Sequence, residues 1–287
     1  GGHSRKTQEV PRGVSQTDDI GSSSRHQEMA ESEISEGSGV SRCRVLGIPV
    51  DAVGMEEALG VVDELVNHGE GMGLVLAVNP EKVLVLREDD FLREVFEEAA
   101  LLIPDGIGVV AALKLLSGVE VSRVPGADLM QRICAESATK GYQIFLYGGA
   151  EEVNAGAANE LERRFPGIQI VGRANGYISE DEMPGLIDQI NASEANVLFV
   201  ALGSPRQEKW MTDHGARLTK VKVCQGIGGT LDTIVGRVQR APKAFQKVGL
   251  EWLFRLLKQP TRAKRQLRLL TFTKEVMKAR MRGDESS

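Results

Sequence analysis

Short apolar runs alternate with amphipathic stretches along most of the chain. The runs have the length of buried strands, and the stretches between them repeat apolar residues every three to four positions, which is typical of helices. The predicted strands are 45–50, 74–78, 101–103, 142–147, 168–171, 197–202 and 221–225. The predicted helices include 55–68, 81–99, 128–139, 151–165 and 205–218. This alternation predicts an α/β fold with a mostly parallel sheet and helices on both faces.

The pattern divides the chain into three regions. Residues 1–42 are rich in Ser, Gly, Glu and Gln without apolar periodicity, so we expect a disordered tail whose Gly-Gly-His-Ser start is an expression-tag remnant. Residues 43–236 carry the alternation and form the predicted α/β core. Residues 237–287 carry two amphipathic stretches separated at Pro260, which predicts a C-terminal helical appendage.

The appendage region is strongly basic, although the chain of 287 residues has a net charge of −5. Between positions 237 and 282 there are 14 Lys or Arg residues against only Glu251 and Glu275, a net charge of +12, which leaves −17 for the rest. Such asymmetry indicates a polyanionic partner, either an anionic lipid surface or nucleic acid. Nucleic-acid binding would interleave aromatic residues with the arginines, whereas Trp252 and Phe254 lie at one end. The pattern therefore favours an anionic membrane surface and no nucleic acid.

Composition restricts the expected cellular location of the protein and the kinds of metal or cofactor chemistry to expect. The chain has no apolar run approaching the ~18 residues of a membrane span and no signal peptide at its start, so we expect a cytoplasmic protein. Its three cysteines and four histidines are too scattered for a disulfide framework or a zinc site. No Asp-x-Asp motif is present, so no metal and no cofactor are predicted. An oxidoreductase would need a dinucleotide fingerprint after the first strand, and Gly47-Ile48-Pro49-Val50 is not one.

Polar residues follow the predicted strands, where ligands of open α/β sheets bind. Asn79 either caps the next helix or faces a ligand, and Asp105 in a Pro-Asp-Gly turn is either turn chemistry or a general base. Gln207 lies in a polar segment that exceeds what a helix cap requires. Tyr177 either packs or stacks on a base, and Asp232 either binds a ribose hydroxyl or caps a helix. A glycine turn at 148–149 is a weak phosphate-cradle signal.

A set of motifs recurs together in one known family. The motifs are Asn79-Pro80-Glu81, Pro104-Asp105-Gly106, Arg123-Val124-Pro125-Gly126-Ala127-Asp128-Leu129, Gly203-Ser204-Pro205-Arg206-Gln207-Glu208, Arg240-Ala241-Pro242, Gly249-Leu250-Glu251-Trp252-Leu253-Phe254-Arg255-Leu256 and Pro260-Thr261-Arg262. Over about residues 43–268 the chain resembles the WecG/TagA/CpsF glycosyltransferases, bacterial enzymes of surface-polysaccharide and wall teichoic acid synthesis.

The resemblance implies a Rossmann-like fold of the GT-E type and an inverting transfer from a UDP-sugar to a polyprenyl-diphosphate-linked sugar. In the teichoic acid branch, N-acetylmannosamine passes to undecaprenyl-diphosphate-linked N-acetylglucosamine. UDP-N-acetylmannosaminuronic acid, UDP-glucuronic acid and UDP-glucose remain alternative donors, and a non-enzymatic basic-tailed membrane-binding or nucleic-acid-binding module is an alternative class. Relatives imply a homo-oligomer that is peripheral on the inner face of the cell membrane.

The resemblance also implies roles for individual residues. Asp105 corresponds to the general base. The residues that correspond to donor and acceptor contacts are Asn79, Arg123, Gln207, Tyr177 and Asp232. The appendage arginines that correspond to contacts with the lipid diphosphate are Arg255, Arg262 and Arg265. Ala77 and Ala127 stand where many members have Thr, and Ala77 bears on which donor sugar is used.

Overall fold

The computed structural model describes residues 40–238 and 263–283, together with the single positions 242 and 245. Its strands are β1 Arg42–Val45, β2 Ile48–Asp51, β3 Gly73–Val78, β4 Leu101–Pro104, β5 Gln143–Gly148, β6 Gln169–Ala174, β7 Val197–Ala201 and β8 Val223–Gly226. Its α-helices are α1 Met55–His68, α2 Pro80–Leu86, α3 Asp90–Glu97, α4 Ile107–Ser117, α5 Gly126–Lys140, α6 Glu151–Arg164, α7 Met183–Ala192, α8 Arg206–His214, α9 Thr230–Ile234 and α10 Ala263–Arg282.

Six strands form one parallel sheet in the order β4-β3-β8-β7-β5-β6. One face is covered by α1, α5, α6 and α9, and the other by the remaining helices and the hairpin of β1 and β2. Successive strand residues alternate between the two layers, so Val75 and Leu76 are buried in opposite clusters. The predicted α/β fold with a parallel sheet and helices on both faces is confirmed.

The predicted strand at 45–50 is wrong, because β1 and β2 form an antiparallel hairpin rather than one strand. The chain reverses at Leu46 and Gly47, whose φ angles are 54° and 82°. Two successive positive φ values are typical of the two-residue turn that joins tightly paired strands. Glycine adopts such an angle without steric cost, which explains the position of Gly47.

The predicted helix at 81–99 is also wrong, because the segment forms two helices, α2 and α3. Helix α2 ends at Leu86, and the side chain of Asp89 accepts a hydrogen bond from the backbone N–H of Leu92 at 3.0 Å. Asp89 therefore caps a new helix. The apolar spacing continues across the break, which is why periodicity alone predicts a single helix.

Helix α10, the described part of the predicted appendage, packs against α2 and α4. Phe272 and Val276 are 2% and 5% exposed, within the same apolar cluster as the core residues of those two helices. Within the described residues, no helix is both long enough and apolar enough to cross a membrane. Of the predicted tail at 1–42, residues 1–39 lie outside the described residues, and Arg42 belongs to β1. The predicted appendage helix around Trp252 also lies outside the described residues.

Candidate functional site

Asn79 and Asp105 follow adjacent strands, and the structure brings their two loops together. The backbone N–H of Asp105 donates to the carbonyl of Val78 at 2.9 Å, which continues the pairing of β3 and β4 by one residue. Gly106 has a φ of 126°, and a Cβ atom on it would lie 3.7 Å from the Cβ of Asn79. The positive φ favours glycine at this position, as does Cδ of Pro80, which would lie 3.3 Å from the added Cβ atom.

Asn79 caps helix α2, as one of its two interpretations predicts. Its Oδ1 accepts a hydrogen bond from the backbone N–H of Lys82 at 2.8 Å, and Pro80 occupies the first helical position. The cap fixes the side chain at the carboxyl edge of β3. The residue is half-buried there, beside the Asp105 loop.

The carboxylate of Asp105 lies at the start of helix α5. Its Oδ2 accepts a hydrogen bond from the backbone N–H of Gly126 at 3.2 Å. The first N–H groups of a helix carry partial positive charge, so they stabilise an ionised carboxylate. Asp105 is half-buried, which leaves part of the residue accessible to solvent.

Arg123 lies at the same edge of the sheet. The next residue, Val124, donates its backbone N–H to the carbonyl of Pro104 at 2.9 Å. This bond anchors the segment before α5 directly beside the residue that precedes Asp105. The structure thus brings Arg123, which is half-buried, together with Asp105 and Asn79.

Gln207 and Asp232 flank the glycine turn after β8. Gln207 is 7% exposed, and its Oε1 accepts a hydrogen bond from the backbone N–H of Gly228 at 3.0 Å. A Cβ atom on Gly226 would lie 2.5 Å from Nε2 of Gln207, so the turn and this side chain are closely packed. Asp232 is half-buried in α9, the short helix that follows the turn. Both residues lie at the middle of the sheet edge, because β8 and β7 are its central strands.

Tyr177 follows β6, which is the strand at the opposite edge from β4. Gly176 donates its N–H to the carbonyl of Gly149 at 2.7 Å, which holds the segment before Tyr177 at the end of β5, and three strands lie between β5 and β4. The structure therefore does not bring Tyr177 together with Asp105. Tyr177 is 79% exposed, so it does not pack into the described part of the protein.

The glycine turn at 148–149 precedes helix α6, where the sequence gives a weak phosphate signal. The first turn of α6 contains Glu151 and Glu152. Glu151 pairs with Arg173 at 2.5 Å, and Glu152 pairs with Arg237 at 2.9 Å. These carboxylates already stabilise the helix N-terminus, and they would repel a phosphate there.

A buried ion pair at this edge was not anticipated from the sequence. Nζ of Lys82 lies 3.0 Å from Oε1 of Glu208 and also contacts the hydroxyl of Ser204. Glu208 is 1% exposed. The pair connects α2, which Asn79 caps, to α8, which carries Gln207. The only sequence signal was the polar character of positions 204–208.

Gln225 was also missed as a site residue. It is 1% exposed, and its Nε2 donates to the carbonyl of Gly126 at 2.9 Å. Gly126 is the residue whose N–H binds Asp105. A polar residue at the end of the apolar run at 221–225 was the available signal.

Within the described residues, no three His, Cys, Asp or Glu side chains gather as a metal site would require. The three cysteines are free thiols. Burial raises the pKa of Cys134 to about 12 and raises that of Cys224 as well. A thiolate is the nucleophilic form, so neither buried thiol is suited to nucleophilic chemistry.

The arginines predicted to meet a lipid diphosphate cannot be placed in this site. Arg255 and Arg262 lie outside the described residues, and Arg265 belongs to α10 with its side chain outside them.

The geometry is that of an α/β sheet whose carboxyl edge gathers Asn79, Asp105, Arg123 and Gln207. The model of the Glycosyl transferase WecG/TagA/CpsF family matches residues 43–286. The match extends through α10, beyond residues 43–268 that carry the motifs. The chain therefore belongs to the WecG/TagA/CpsF glycosyltransferase family and is a transferase of cell-wall polysaccharide synthesis that acts on a sugar donor and an acceptor.

Proposed function

We propose that this glycosyltransferase transfers N-acetylmannosamine, with inversion, from UDP-N-acetylmannosamine to undecaprenyl-diphosphate-linked N-acetylglucosamine, in teichoic acid or surface-polysaccharide synthesis. The observation that carries the proposal is the position of the Asp105 carboxylate. It lies beside Asn79 at the carboxyl edge of β3 and β4, in a chain of this family. Open α/β sheets bind their ligands at this edge.

Asp105 is proposed as the general base. It removes the proton from the acceptor hydroxyl while that oxygen attacks the anomeric carbon of the donor. The bond from the anomeric carbon to UDP breaks on the opposite side, which inverts the configuration. The Gly126 N–H keeps Asp105 in place at the start of α5. General-base assistance of this kind contributes roughly 10²–10⁴ in rate.

The order of the strands suggests how the donor lies along the edge. Arg123, beside Asp105, is proposed to pair with the diphosphate, because a guanidinium binds phosphate through two parallel hydrogen bonds. Gln207 holds the glycine turn at the centre, where Asp232 is proposed to bind the ribose. Tyr177, exposed at the far strand, is proposed to stack on the uracil. Gly176, which precedes Tyr177, donates its N–H to the carbonyl of Gly149 at 2.7 Å, and a Cβ atom added to Gly149 would lie 3.6 Å from Leu231, the neighbour of Asp232. This proximity fits the ribose and the base of one nucleotide.

Ala77 bears on the identity of the donor sugar. It lies on β3, two residues before Asn79, and is half-buried. Its methyl group faces Gly126, since a Cβ atom added to Gly126 would lie 3.6 Å from it. Its side chain offers no hydroxyl to a donor. The alternative donors UDP-N-acetylmannosaminuronic acid, UDP-glucuronic acid and UDP-glucose therefore belong in any test of specificity.

Helix α10 is proposed to hold the enzyme peripherally on the inner, anionic face of the cell membrane. Leu270, Met277 and Met281 are 69%, 48% and 76% exposed. Their spacing places them on one side of the helix. Basic side chains accompany them on the same helix: Arg268, Lys274, Lys278, Arg280 and Arg282. An exposed apolar stripe with basic neighbours is typical of a helix that lies in a membrane interface.

The proposal is tested by a donor screen. The full chain is mixed with a short-chain lipid-diphosphate N-acetylglucosamine and each UDP-sugar in turn, and UDP release is followed. We expect release with UDP-N-acetylmannosamine that depends on the acceptor and a disaccharide product with inverted configuration. Acceptor-dependent release with another UDP-sugar only would replace the donor in the proposal. If no donor gives UDP release and added UDP does not raise the Tm, the proposed reaction is overturned.

A further inference from the structure

We infer that Gln225 is a positioning residue for Asp105 that acts through the backbone of Gly126, an inference that rests on the proposed role of Asp105 as base. Gly126 forms a hydrogen bond with each of the two residues. Its N–H donates to Oδ2 of Asp105 at 3.2 Å, and its carbonyl accepts from Nε2 of Gln225 at 2.9 Å. Glycine has the most backbone freedom of any residue, so the amide of Gln225 restrains the residue that holds the base.

Gln225 occupies a position where an apolar residue would be expected. It pairs in register with Val75 and Phe199, which belong to the apolar cluster on the α5 face of the sheet. Within the described residues, its Oε1 is buried and has no hydrogen-bond partner. A buried amide oxygen without a partner is unfavourable by about 1–3 kcal/mol. An amide retained there despite that cost indicates that its N–H has a role other than stability.

Gln225 also connects the part of the site around Asp105 with the part around Gln207. It immediately precedes Gly226, where the glycine turn begins, and that turn is held by Oε1 of Gln207 on the N–H of Gly228. A path of hydrogen bonds and backbone therefore runs from Gln207 to Gly228, along the chain to Gln225, and through Gly126 to Asp105. The end of β8 thus fixes the position of Asp105 relative to the glycine turn, where the nucleotide is proposed to bind.

The test is the full-length Gln225→Met variant, which keeps the length of the side chain and removes its N–H. We expect kcat to fall at least about 10-fold, because misplacement by about 1 Å costs up to about 100-fold. The donor KM should stay within about two-fold, since no ligand contact is removed. The Tm should change by less than about 3 °C, because the buried amide oxygen is lost along with the N–H.

Ser137→Ala is the matched control. Ser137 is fully buried near the carboxyl end of α5, where its Oγ donates to the carbonyl of Tyr142 at 2.7 Å and accepts the backbone N–H of Gln169 at 3.1 Å. We expect its loss to lower the Tm by about 3–6 °C without changing kcat. An equal fall of kcat in both variants would show that any lost buried hydrogen bond slows the enzyme and would overturn the inference.

A double variant separates positioning from general damage. If Gln225 acts through Asp105, then Gln225→Met should cause no further loss of residual turnover when combined with Asp105→Asn. An additional loss as large as in the parent background would overturn the inference.

Hydrogen exchange tests the restraint without any turnover. The amides of residues 124–128 should exchange faster in Gln225→Met and at the parent rate in Ser137→Ala. Faster exchange in an enzyme that fails the donor screen would retain the restraint and reject the proposed function. Unchanged exchange together with unchanged kcat in an active enzyme would reject the inference and retain the function.

Discussion

The ring of Phe272 lies against Gly108, where an added Cβ atom would be 3.6 Å from the ring carbon Cε1 and 2.7 Å from Cγ of Pro80. Helices α10, α4 and α2 therefore meet at one point. That point is three residues after Asp105 and one residue after Asn79. Helix α10 thus combines a buried side, which supports the loops of the site, with the exposed stripe proposed to bind membrane.

Replacement of Leu270, Met277 and Met281 by Gln should separate these two sides of α10. Because all three are exposed, we expect the Tm to change by less than about 3 °C. Cosedimentation with vesicles that contain anionic lipid should be lost, since the apolar stripe provides the insertion into the interface. Vesicles of neutral lipid are the control that shows how far binding depends on the negative charge of the lipid.

Phe272→Ala is the control for the buried side of the helix. It should lower stability by about 3–5 kcal/mol, as for other buried aromatic residues. Equal vesicle binding by the parent and the triple variant would contradict the proposed membrane role. A deletion of the whole helix would not discriminate, because it also removes Phe272 and Val276 from the core.

Lys82→Met should destabilise the protein by about 3–5 kcal/mol, because it leaves the carboxylate of Glu208 buried without its ion-pair partner. The ammonium group also lies 5.3 Å from the centre of the Phe96 ring, and that contact is lost as well. The expected fall in Tm is roughly 10 °C or more, measured by calorimetry.

Two further variants make this test specific. Lys209→Met removes a pair that is exposed, with Nζ 2.7 Å from Oδ2 of Asp213, and should cost less than about 1 kcal/mol. Adding Glu208→Leu to Lys82→Met should recover most of the lost stability, since no buried charge then remains. A Tm for Lys82→Met equal to that of Lys209→Met would refute the argument.

The residues at the strand ends could be predicted because the parallel sheet itself could be predicted. Once strands and helices alternate, the residues that follow the strands must share one edge, and Asn79, Asp105 and Gln207 do lie at that edge. The order of the strands is not encoded in local periodicity. For that reason the separation of Tyr177 from Asp105 could not be foreseen.

Contacts between segments that are distant in the sequence explain why local patterns did not predict Gln225 or the Lys82–Glu208 pair. Gln225 and Gly126 are 99 positions apart, and Lys82 and Glu208 are 126 apart, so neither partner could be deduced from a local pattern. The break between α2 and α3 was missed for a different reason. The cap at Asp89 interrupts a continuous apolar period, and periodicity alone does not show where one helix ends and the next begins.

Tyr142→Phe should lower stability in a pH-dependent way. The hydroxyl of Tyr142 donates to Oδ1 of Asp63 at 2.6 Å, and this bond is the main reason that the pKa of Asp63 lies below its usual 3.8. A lowered folded-state pKa adds stability above the unfolded value, and this contribution is lost as the pH falls through the folded value.

The Tm of Tyr142→Phe should therefore be about 2–4 °C below that of the parent at pH 7. The difference should shrink as the pH falls below 3.8. Thermal unfolding from pH 7 to pH 3 measures both, and Tyr177→Phe, at an exposed tyrosine, is the control. A difference in Tm that stays constant across this range would show that Asp63 is not the partner that matters.

Asp105→Asn should lower turnover at least about 100-fold, because an amide cannot take the proton of the acceptor hydroxyl. Its oxygen can still accept the N–H of Gly126, so the Tm and the affinity for UDP, measured by calorimetry, should stay at the parent values. Asp89→Asn is the matched control. That carboxylate also accepts a backbone N–H at a helix start, from Leu92 at 3.0 Å, but lies at the cap of α3.

Turnover in Asp89→Asn should therefore equal that of the parent, with at most a small loss of Tm. Parental turnover in Asp105→Asn would remove the residue from the role of base. A loss in both variants would point to damage at helix caps instead. A loss in Asp105→Asn alone, with UDP still bound, would assign the chemical step to this carboxylate, because the donor site would be intact while the transfer had stopped.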